Sequence, residues 1–552
     1  MMLSFCIAAD QPAATQPAAT QPSITTKSKT QQQSIKKKQK RISTRSLRRS
    51  TQQAEVNQGD PLQPDEIAHH VLSRLAFGPK PGQIEEIITQ GHTSWIDAQL
   101  SPRTVDNDEV EAYCREKFPS MYMSMTDSLR QYMPRDDPDK TSLENTRHRN
   151  RMRSELKKQL RAYVIYRAVH SNRQFEEIII DFWRNHFSID QNKDDVAYHA
   201  NHFEQTLRRY AFGKFDRLLL ATAQHPAMLI FLDNIVSQKP LSEIEQNLLE
   251  RYDDRKYVPR SVQALGRHRG LNENYARELM ELHTLGVDND YTQYDVIELA
   301  RVLTGWSAGW SDGSYYGKEG AEYGFIFRPK VHDTNPKNVL GLRMKGRDGI
   351  NEGIGVIRKL ALHPNTATFI SYKLCRYLIR DDPSPTLVKQ VASVFRKSKG
   401  DLSKVYKAIV LSDDFLYRQN FQVKFRTPFE FTIASLRANN ATITSTGSLT
   451  YYLSLMGQDL YRCGDPTGYY DQAEAWLDPG VMVYRWQFAN DLARNNIRGV
   501  KHQTYTKPIS RIYDQFIVPS LASEELVTAM KDAKTKTHAM TLLLGSPDFQ
   551  MQ

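Results

Sequence analysis

Residues 270–306, GLNENYARELMELHTLGVDNDYTQYDVIELARVLTGW, indicate the fold class of the whole chain. They predict two helices joined by a short polar turn. Asn272 can cap the first helix, and Gly286 stands where a left-handed residue ends it. Thr292 can cap the second helix, with Asp295 three residues on in a near capping box. Because both helices carry start and stop signals, we expect helical structure here.

The first of these helices is apolar on most of its sides. At 100° per residue, Tyr275, Leu279 and Leu282 form one apolar stripe. The opposite arc carries Asn274, Arg277, Glu278 and Glu281. Because a buried carboxylate needs a partner, we expect a polar constellation on this face, either catalytic or purely structural.

The helical pattern extends through most of the chain, so the predicted fold class is mainly α. We expect a single large multi-helix domain over residues 61–552, with at most a small β-hairpin. Strands are predicted at 323–328 (YGFIFR) and 338–344 (NVLGLRM), which could pair with each other. Further helices are predicted at 156–171, 173–187, 195–212, 214–223, 241–251, 352–362, 364–380, 385–397, 401–411, 427–438, 484–494 and 522–544.

Residues 102–155 break this regularity. They are rich in charge and poor in apolar periodicity, so we expect a partly ordered insertion.

The first 60 residues have the composition of a disordered tail. They are rich in Thr, Gln, Pro and Ala, and TQPAATQPAATQPS repeats with a period of five. The opening MMLSFCIAA resembles the end of a secretory signal without its positive n-region, although a chance apolar start would look the same. We expect an exported protein that lies in the periplasm, at the cell surface or outside the cell.

The positive charge of the chain is concentrated in this tail. The net charge is +11, and residues 1–60 contribute +7 of it, from ten Lys/Arg against three Asp/Glu. The basic run 36–49 has no aromatic residue on which a base could stack, so it predicts weak, salt-sensitive polyanion binding and no specific nucleic acid. No apolar run approaches the ~20 residues of a transmembrane helix.

The four cysteines give no sign of a metal site. Cys6, Cys114, Cys375 and Cys463 are widely spaced and form no CxxC pair, so neither a zinc site nor a disulfide framework is predicted. Whether two of the last three cysteines form a disulfide stays an open question.

The segment SNRQFEEIIIDFWRNHFSID supplies a second group of candidate residues. Trp183 lies on its apolar stripe and is predicted to anchor the core, while Arg184 is a candidate binding residue. His186 lies in line with the core residues, and His283 has a similar position on its own helix. Each histidine is either a satisfied core residue or a ligand or general base that faces a pocket.

Glu278 and Glu281 have the spacing of paired carboxylates. Three residues apart on one face, they suit metal or acid–base chemistry, but an Arg277–Glu281 pair is equally compatible. No Glu-x-x-His accompanies them, which disfavours a dimetal site. For Glu278 we expect a partner from residues 181–187, with Arg184 or His186 nearest in type.

Two further segments carry candidate binding residues. The stretch 466–476 (PTGYYDQAEAW) contains Tyr469 and Trp476, and it either walls a carbohydrate or peptide groove or seals the core. The stretch 327–333 (FRPKVHD) offers three polar side chains, namely Arg328, His332 and Asp333.

Several long blocks of the sequence resemble the bacterial domain of unknown function 1800. They are HHVLSRLAFGPKPGQ (69–83), WIDAQLSP (95–102), DFWRNHF (181–187), FGKFDRLLLATAQHPAMLIFLDN (212–234), the opening stretch (270–306), FIFRPKVHD (325–333), HPNTATFISYKLCRYLI (363–379), KFRTPFEF (424–431) and MGQDLYRCGDPTGYYDQAEAW (456–476). The resemblance implies a predominantly helical, usually exported protein. It also implies a partner from the domain of unknown function 1501 family, which resembles the alkaline phosphatase and sulfatase group. It implies no reaction and no cofactor.

Two functions of different classes follow. The first is an exported scaffold or binding protein that acts with a neighbouring-gene partner or a surface polymer. The second is a hydrolytic or metal-assisted enzyme that uses Glu278, Glu281, His186 and His283. The second requires those four side chains to converge on one pocket that solvent can reach.

Overall fold

Helices dominate this computed structural model, which describes residues 62–252, 255, 257–266, 270–314, 318–503, 508–509, 516–517 and 522–552. The predicted disordered tail, signal sequence and basic run all lie outside these residues. The helices of the first half are α1 (Pro64–Arg74), α2 (Gln83–Gln90), α3 (His92–Gln99), α4 (Asp108–Lys117), α5 (Met125–Tyr132), α6 (Ser142–His170), α7 (Gln174–His186), α8 (Ala200–Tyr210), α9 (Phe215–Ala223), α10 (Pro226–Phe231), α11 (Glu243–Tyr252) and α12 (Arg260–Gly266).

The second half continues in the same style and adds short strands. Its helices are α13 (Glu273–Glu281), α14 (Gln293–Val302), α15 (Ile350–Ala361), α16 (Pro364–Leu378), α17 (Pro385–Lys397), α18 (Leu402–Val410), α19 (Asp413–Leu416), α20 (Pro428–Ala438), α21 (Gly447–Leu455), α22 (Pro479–Ala493), α23 (Glu524–Lys531), α24 (Lys536–Gly545) and α25 (Pro547–Gln550). The strands are β1 (Trp306–Trp310), β2 (Tyr323–Phe327), β3 (Lys337–Val339), β4 (Leu342–Met344), β5 (Thr442–Ile443) and β6 (Val500–Lys501). The prediction of a mainly α protein is confirmed.

The helix α7 lies in the main hydrophobic core. Its Phe175, Ile179 and Trp183 are all buried. The indole N–H of Trp183 donates to the hydroxyl of Tyr406 (2.7 Å), which in turn donates to the carbonyl of Ala211 (2.7 Å). The largest side chain of this core thus has its one polar group satisfied, and the prediction that Trp183 is a core residue is confirmed.

The helix ends predicted in the opening stretch are present. Asn272 accepts a hydrogen bond from the N–H of Asn274 (2.9 Å) and caps α13. Thr292 and Asp295 form the reciprocal capping box of α14. Gly286 has φ +87°, in the region that glycine adopts without strain.

The strand at 323–328 is confirmed, but its predicted pairing with 338–344 is wrong. β2 pairs antiparallel with β1, and the segment around Gly341 folds on itself as the hairpin β3–β4. The close approach of β1 and β2 begins at Gly305, where a Cβ atom would lie 2.6 Å from the carbonyl oxygen of Arg328. A third pair joins β5 to β6.

The region 102–155 is more helical than predicted. It contains α4, α5 and the first half of α6, which begins at Ser142, fourteen residues before the predicted start at 156. Thr141 and Glu144 form a capping box there. Most side chains of 142–155 face solvent, so apolar periodicity could not reveal this half of the helix. The predicted helix 522–544 is also two helices, α23 and α24.

Two further properties concern membranes and thiols. None of the described helices combines the length and the apolar character needed to cross a bilayer.

Cys114, Cys375 and Cys463 are all free thiols, which answers the open question of a disulfide among them. Burial raises the pKa of the Cys114 thiol to about 12, so it is a poor nucleophile near neutrality.

Candidate functional site

Two of the predicted residues meet at the C-terminal end of α7. His186 is buried, and its Nδ1 lies 3.0 Å from the Nζ of Lys373 on α16. Its Nε2 lies 3.3 Å from the backbone carbonyl of His283, just beyond α13, and the two imidazole rings are 6.1 Å apart. We call His186, Lys373 and His283 the lysine centre.

The contacts of His186 determine which ring nitrogen carries the proton. A carbonyl oxygen can only accept, so Nε2 must be the N–H that donates to His283. Nδ1 is then the acceptor for the amine of Lys373. Burial, followed by the nearby Lys373 and His283, holds the pKa of His186 well below its usual value. The imidazole is therefore neutral and fixed in one tautomer.

The pKa values of Lys373 and His283, the other two members of the lysine centre, are also lowered. Burial, followed by the positive charge of Arg376, lowers the pKa of Lys373 to about 8. Burial, followed by Lys373, lowers the pKa of His283 to about 3. Among the described residues, Nε2 of buried His283 has no hydrogen-bond partner.

A carboxylate near the lysine centre is already engaged. Asp471 binds Arg376 through two contacts of 3.0 and 3.2 Å, and its backbone carbonyl accepts from Lys424 (2.8 Å). Burial would raise the pKa of Asp471, but Arg376, Lys424 and Lys373 hold it below its usual value. The carboxylate is thus an ion whose closest partner is the guanidinium.

Arg184 belongs to a different network, which we call the ion-pair ladder. Arg184 binds Glu204 through two contacts of 3.1 Å and binds Asp181 at 2.8 Å. The ladder consists of alternating buried or partly buried charges, Glu111, Arg167, Glu177, Arg208, Glu204, Arg184 and Asp181, joined by contacts of 2.5 to 3.1 Å. Arg184 and His186 were the two residues expected as partners of Glu278. The contacts described above place Arg184 in the ion-pair ladder and His186 in the lysine centre.

Glu281 of α13 pairs with an arginine of its own helix. Glu281 is bound by Arg277 (3.3 Å), which also contacts Glu273 (3.7 Å) and the amide oxygen of Gln293 (2.6 Å). Glu278 is partly buried, and its backbone carbonyl accepts from the N–H of His283 (3.0 Å). Asn274 is exposed at the start of the helix. Of the two alternatives given for Glu281, the structure shows the ion pair with Arg277.

The candidates at 327–333 make structural contacts. A guanidinium nitrogen of Arg328 donates to the carbonyl of Ile235 (2.5 Å), and Nδ1 of His332 lies 2.9 Å from the carbonyl of Thr304. Asp333 accepts from Arg301 (2.7 Å). These contacts hold the segment against α14 and the turn that precedes β1.

The aromatic stretch 466–476 folds back on itself against the end of α7. The amide of Asn185 exchanges two hydrogen bonds with the backbone of Tyr469, each 2.7 Å long. Trp476 is buried and donates to the carbonyl of Tyr470 (2.9 Å). At Gly468, φ is +76° and a Cβ atom would lie 2.3 Å from the carbonyl of Asn185. Of the two predicted roles, this geometry favours a loop that seals the core.

A cleft that sequence reasoning missed lies in another part of the protein. Its volume is about 710 Å³, and α5, α8, the α9–α10 junction and β2 form its walls. The lining side chains that carry polar or aromatic groups include Asp127, Arg130, His202, Gln205, Arg209, Tyr210, Gln224, His225, Glu322, Tyr323 and Phe325. The available signal was the pair His199 and His202, three residues apart on one segment, with His225 in the QHP motif.

Two histidines in this cleft form a short relay. Nδ1 of His225 accepts from the backbone N–H of Ala227 (3.1 Å), so a neutral His225 carries its proton on Nε2. That Nε2 lies 3.1 Å from Nδ1 of His202, which must then accept. His202 is left with an Nε2–H for which the described residues supply no acceptor. Burial is the main cause that lowers the pKa of both rings, so both are neutral.

The relay also limits what the cleft can hold. Because Nδ1 of His225 accepts from Ala227, its Nε2 carries the proton and offers no lone pair in this tautomer. The described residues contain no cluster of three or more His, Cys, Asp or Glu side chains arranged to hold a metal ion. The pair is therefore suited to donate a hydrogen bond through His202.

A family model matches nearly the whole chain. The model described as "Protein of unknown function (DUF1800)" covers residues 70–551. Among curated proteins nothing matches, and among solved structures nothing matches either. With a match of this extent, the chain belongs to the DUF1800 family of proteins of unknown function.

Proposed function

We propose that this protein is a binding protein whose cleft takes a hydroxyl-rich ligand of carbohydrate type. The observation that carries the proposal is the neutral N–H of His202, fixed by His225 and presented at a cleft lined with aromatic rings. A neutral imidazole N–H can donate to a hydroxyl oxygen without demanding a charged partner. The lining also includes the rings of Tyr210 and Tyr323, and aromatic rings can pack against sugar rings. One face of Tyr323 is already stacked on His199, with the ring centroids 5.1 Å apart.

The charges of the cleft support the same ligand class. Asp127 and Glu322 bring negative charge to the lining, while Arg130 and Arg209 bring positive charge. A site of mixed sign favours neither a strong anion nor a strong cation, but its planar polar groups can bind neighbouring hydroxyls. Arg130 is already occupied in part, since it donates to the carbonyl of Ala321 (2.9 Å).

The test is a binding measurement on soluble glycans. We expect the full chain to bind at least one of three probes, namely N-acetylglucosamine oligomers, β-glucan oligomers and α-glucan oligomers, in isothermal titration calorimetry. Both His202→Ala and Tyr210→Ala should weaken that binding by about tenfold or more, because each removes a ligand contact worth about 1–1.5 kcal/mol.

A matched control separates the cleft from surface tyrosines in general. Tyr451 is 63% exposed and Tyr294 is 57% exposed, and neither lines the cleft. Tyr451→Ala and Tyr294→Ala should bind as the wild type does. Failure of the wild type to bind any of the three probes would overturn the proposal, as would binding that survives both cleft substitutions.

The enzyme alternative receives less support from the contacts. It needs Glu278, Glu281, His186 and His283 to converge, whereas Glu281 pairs with Arg277. His186 and His283 do meet, but through the backbone carbonyl of His283. A hydrolytic or metal-assisted reaction at this group is thus the weaker proposal.

We also propose that the protein is exported and that a protein of the domain of unknown function 1501 family is its partner. The family membership supports both statements, since the resemblance implies them. Fractionation of cells that express the full chain should find it outside the cytoplasm. Retention in the cytoplasm would contradict export, and failure to co-purify with the neighbouring-gene protein would contradict the partnership.

For the basic run 36–49 we propose weak polyanion binding without sequence specificity. Its fourteen residues include eight lysines and arginines and no aromatic residue. Deletion of 36–49 should abolish retention of the protein on heparin at low salt. Retention that persists would place the basic site in another part of the chain.

A further inference from the structure

The amine of Lys373 lacks the carboxylate partner that several inward-facing lysines of this protein have. Lys337 lies 2.8 Å from Glu352, Lys424 lies 2.6 Å from Asp381, and Lys193 lies 2.7 Å from Asp233. Lys373 is partly buried, and its hydrogen-bond partner is a neutral imidazole nitrogen. No carboxylate among the described residues lies within ion-pair distance of its Nζ.

The surroundings of Lys373 explain why no carboxylate forms an ion pair with it, although the charge of Asp471 acts on it from a distance. The nearest acid on the aromatic stretch, Asp471, is bound on both oxygens by Arg376. Arg376 also adds its own positive charge next to the amine. On the other side lie His186 and His283, both neutral. A cation in this position is disfavoured by burial and by its neighbour, so the free amine is stabilised relative to the ammonium.

We propose that Lys373 is a nucleophilic amine that condenses reversibly with the carbonyl group of an aldehyde-bearing ligand. Lysines that form Schiff bases are activated by desolvation or by a neighbouring cation, and Lys373 has both, since it is partly buried and lies near Arg376. Nδ1 of His186 accepts one amine hydrogen and so orients the nitrogen lone pair away from the ring. His186 is a positioning residue in this reaction.

The chemistry needs no oxidant or reductant. The lone pair of the neutral amine attacks the carbonyl carbon, a C–N bond forms, and a proton moves from nitrogen to the former carbonyl oxygen. Loss of that oxygen as water then gives the imine, and addition of water reverses the reaction. The aldehyde is the only co-reactant, and the water produced passes to solvent.

The experiment traps the imine on the intact full chain. Propionaldehyde and sodium cyanoborohydride convert an imine into a stable alkylamine, and peptide mapping by mass spectrometry gives a rate for each lysine. With a pKa of about 8, about a quarter of Lys373 is neutral at pH 7.5, against about one in a thousand for an ordinary lysine. We expect Lys373 to be alkylated at least about tenfold faster than Lys407, an exposed lysine paired with Asp97.

A second lysine serves as a matched control for pKa alone. Burial, followed by Arg437, lowers the pKa of Lys80 to about 8 as well, but no imidazole nitrogen lies within hydrogen-bond distance of its amine among the described residues. If orientation by His186 matters, Lys373 should react faster than Lys80. Equal rates at Lys373 and Lys80 would overturn the role of His186, and a rate at Lys373 no higher than that at Lys407 would overturn the proposal itself.

Two measurements distinguish a reactive amine from a merely structural lysine. The alkylation rate of Lys373 should rise with pH to a midpoint near about 8, a profile that a structural role would not produce. His186→Asn places an amide oxygen near the former Nδ1 and should keep the rate within about threefold, whereas His186→Leu removes the acceptor and should lower it by about tenfold. The rates at Lys80 and Lys407 in the same samples report whether each variant is folded. A midpoint above about 10, or equal rates in the two variants, would contradict the inference.

Discussion

The ion-pair ladder and the lysine centre share the helix α7 but solve the problem of buried charge in opposite ways. In the ladder, Glu204 accepts from Arg184, Arg208 and the hydroxyl of Tyr461, the last at 2.5 Å. In the lysine centre, the described residues give Lys373 one hydrogen-bond partner, the imidazole of His186, and the ring of Phe369 lies 5.7 Å from its Nζ. The first arrangement lowers the pKa of Glu177 and Glu204 and so favours their ionised forms, although burial raises the pKa of Asp181 to about 6. The second arrangement favours loss of the charge.

This difference separates structural polar groups from groups that are free to react. A saturated carboxylate such as Glu204 cannot take up a substrate proton without breaking several hydrogen bonds, so it is suited to hold helices together. An amine without a counter-ion is costly to keep charged and available for chemistry. The ladder should therefore dominate stability, and the lysine centre should contribute little to it.

The substitution that breaks both regions at once is Trp183→Ala. Trp183 is fully buried on α7, next to Arg184 of the ladder and three residues before His186 of the lysine centre. Its removal should lower the free energy of unfolding by about 3–5 kcal/mol in urea denaturation, as expected for a large-to-small core change. Trp183→Phe should cost about 1–2 kcal/mol, because it loses chiefly the hydrogen bond to Tyr406. A neutral Trp183→Ala would contradict the core position of α7.

The substitution that breaks the ladder alone is Glu204→Gln. Glu204 has no exposed surface, and its loss leaves Arg184 and Arg208 with one carboxylate fewer in a buried environment. We expect the free energy of unfolding to fall by about 3 kcal/mol. The exposed pair Lys407–Asp97 is the control, and Asp97→Ala should cost less than about 1 kcal/mol. Alkylation of Lys373 should not change in Glu204→Gln, and a large change would show that the two networks are coupled.

The pH dependence of stability sharpens the assignment to Glu204. Burial would raise its pKa, but Arg184 and Arg208 lower it to about 2 in the folded protein, from an ordinary value of 4.5. A carboxyl whose pKa is depressed on folding stabilises the protein above the unfolded pKa, and this contribution is lost as pH falls from 4.5 towards 2. The difference in unfolding free energy between wild type and Glu204→Gln should therefore shrink by up to about 3 kcal/mol over that window. A difference that stays constant between pH 5 and pH 3 would rule out an ionised Glu204.

Sequence patterns predicted the individual helices and strands of this fold better than they predicted which strands pair with each other. The caps at Asn272 and Thr292 are local, because side chain and backbone lie within three residues, and both are present. The pairing of β2 depends instead on WSAGW, a run whose glycine and alanine give no strand signal. The first half of α6 was missed because exposed helices have no apolar stripe, although the Thr141–Glu144 box marks its start.

The candidate sites show the same limit more strongly. His186 stood out because a histidine in line with core residues is unusual. Lys373 did not, since a lysine on a helix normally faces solvent, and no pattern reveals that α16 brings it to the end of α7. The cleft is assembled from four segments between Ser124 and Phe325, so only the folded chain brings His202, Tyr210 and Tyr323 together.

The smallest change in unfolding free energy is expected for Lys373→Met, and unlike the substitutions above it should not destabilise the protein. It is therefore the strictest test of the difference between the ladder and the lysine centre. Lys373→Met removes an amine whose pKa falls from 10.5 to about 8 on folding. Such a group opposes folding while the unfolded chain is protonated, and this penalty disappears as pH rises from 8 to 10.5. Because Lys373 is partly exposed, solvent screening reduces the penalty, and we expect Lys373→Met to be equal to the wild type or more stable by up to about 1 kcal/mol at pH 7. The same substitution at the paired Lys424 should instead destabilise by about 2–4 kcal/mol, because it leaves Asp381 without its cation. The measurement is the unfolding free energy of both variants and the wild type in urea at pH 7 and pH 10. A loss of stability in Lys373→Met as large as that in Lys424→Met would mean that the lysine centre is a structural ion pair like the ladder.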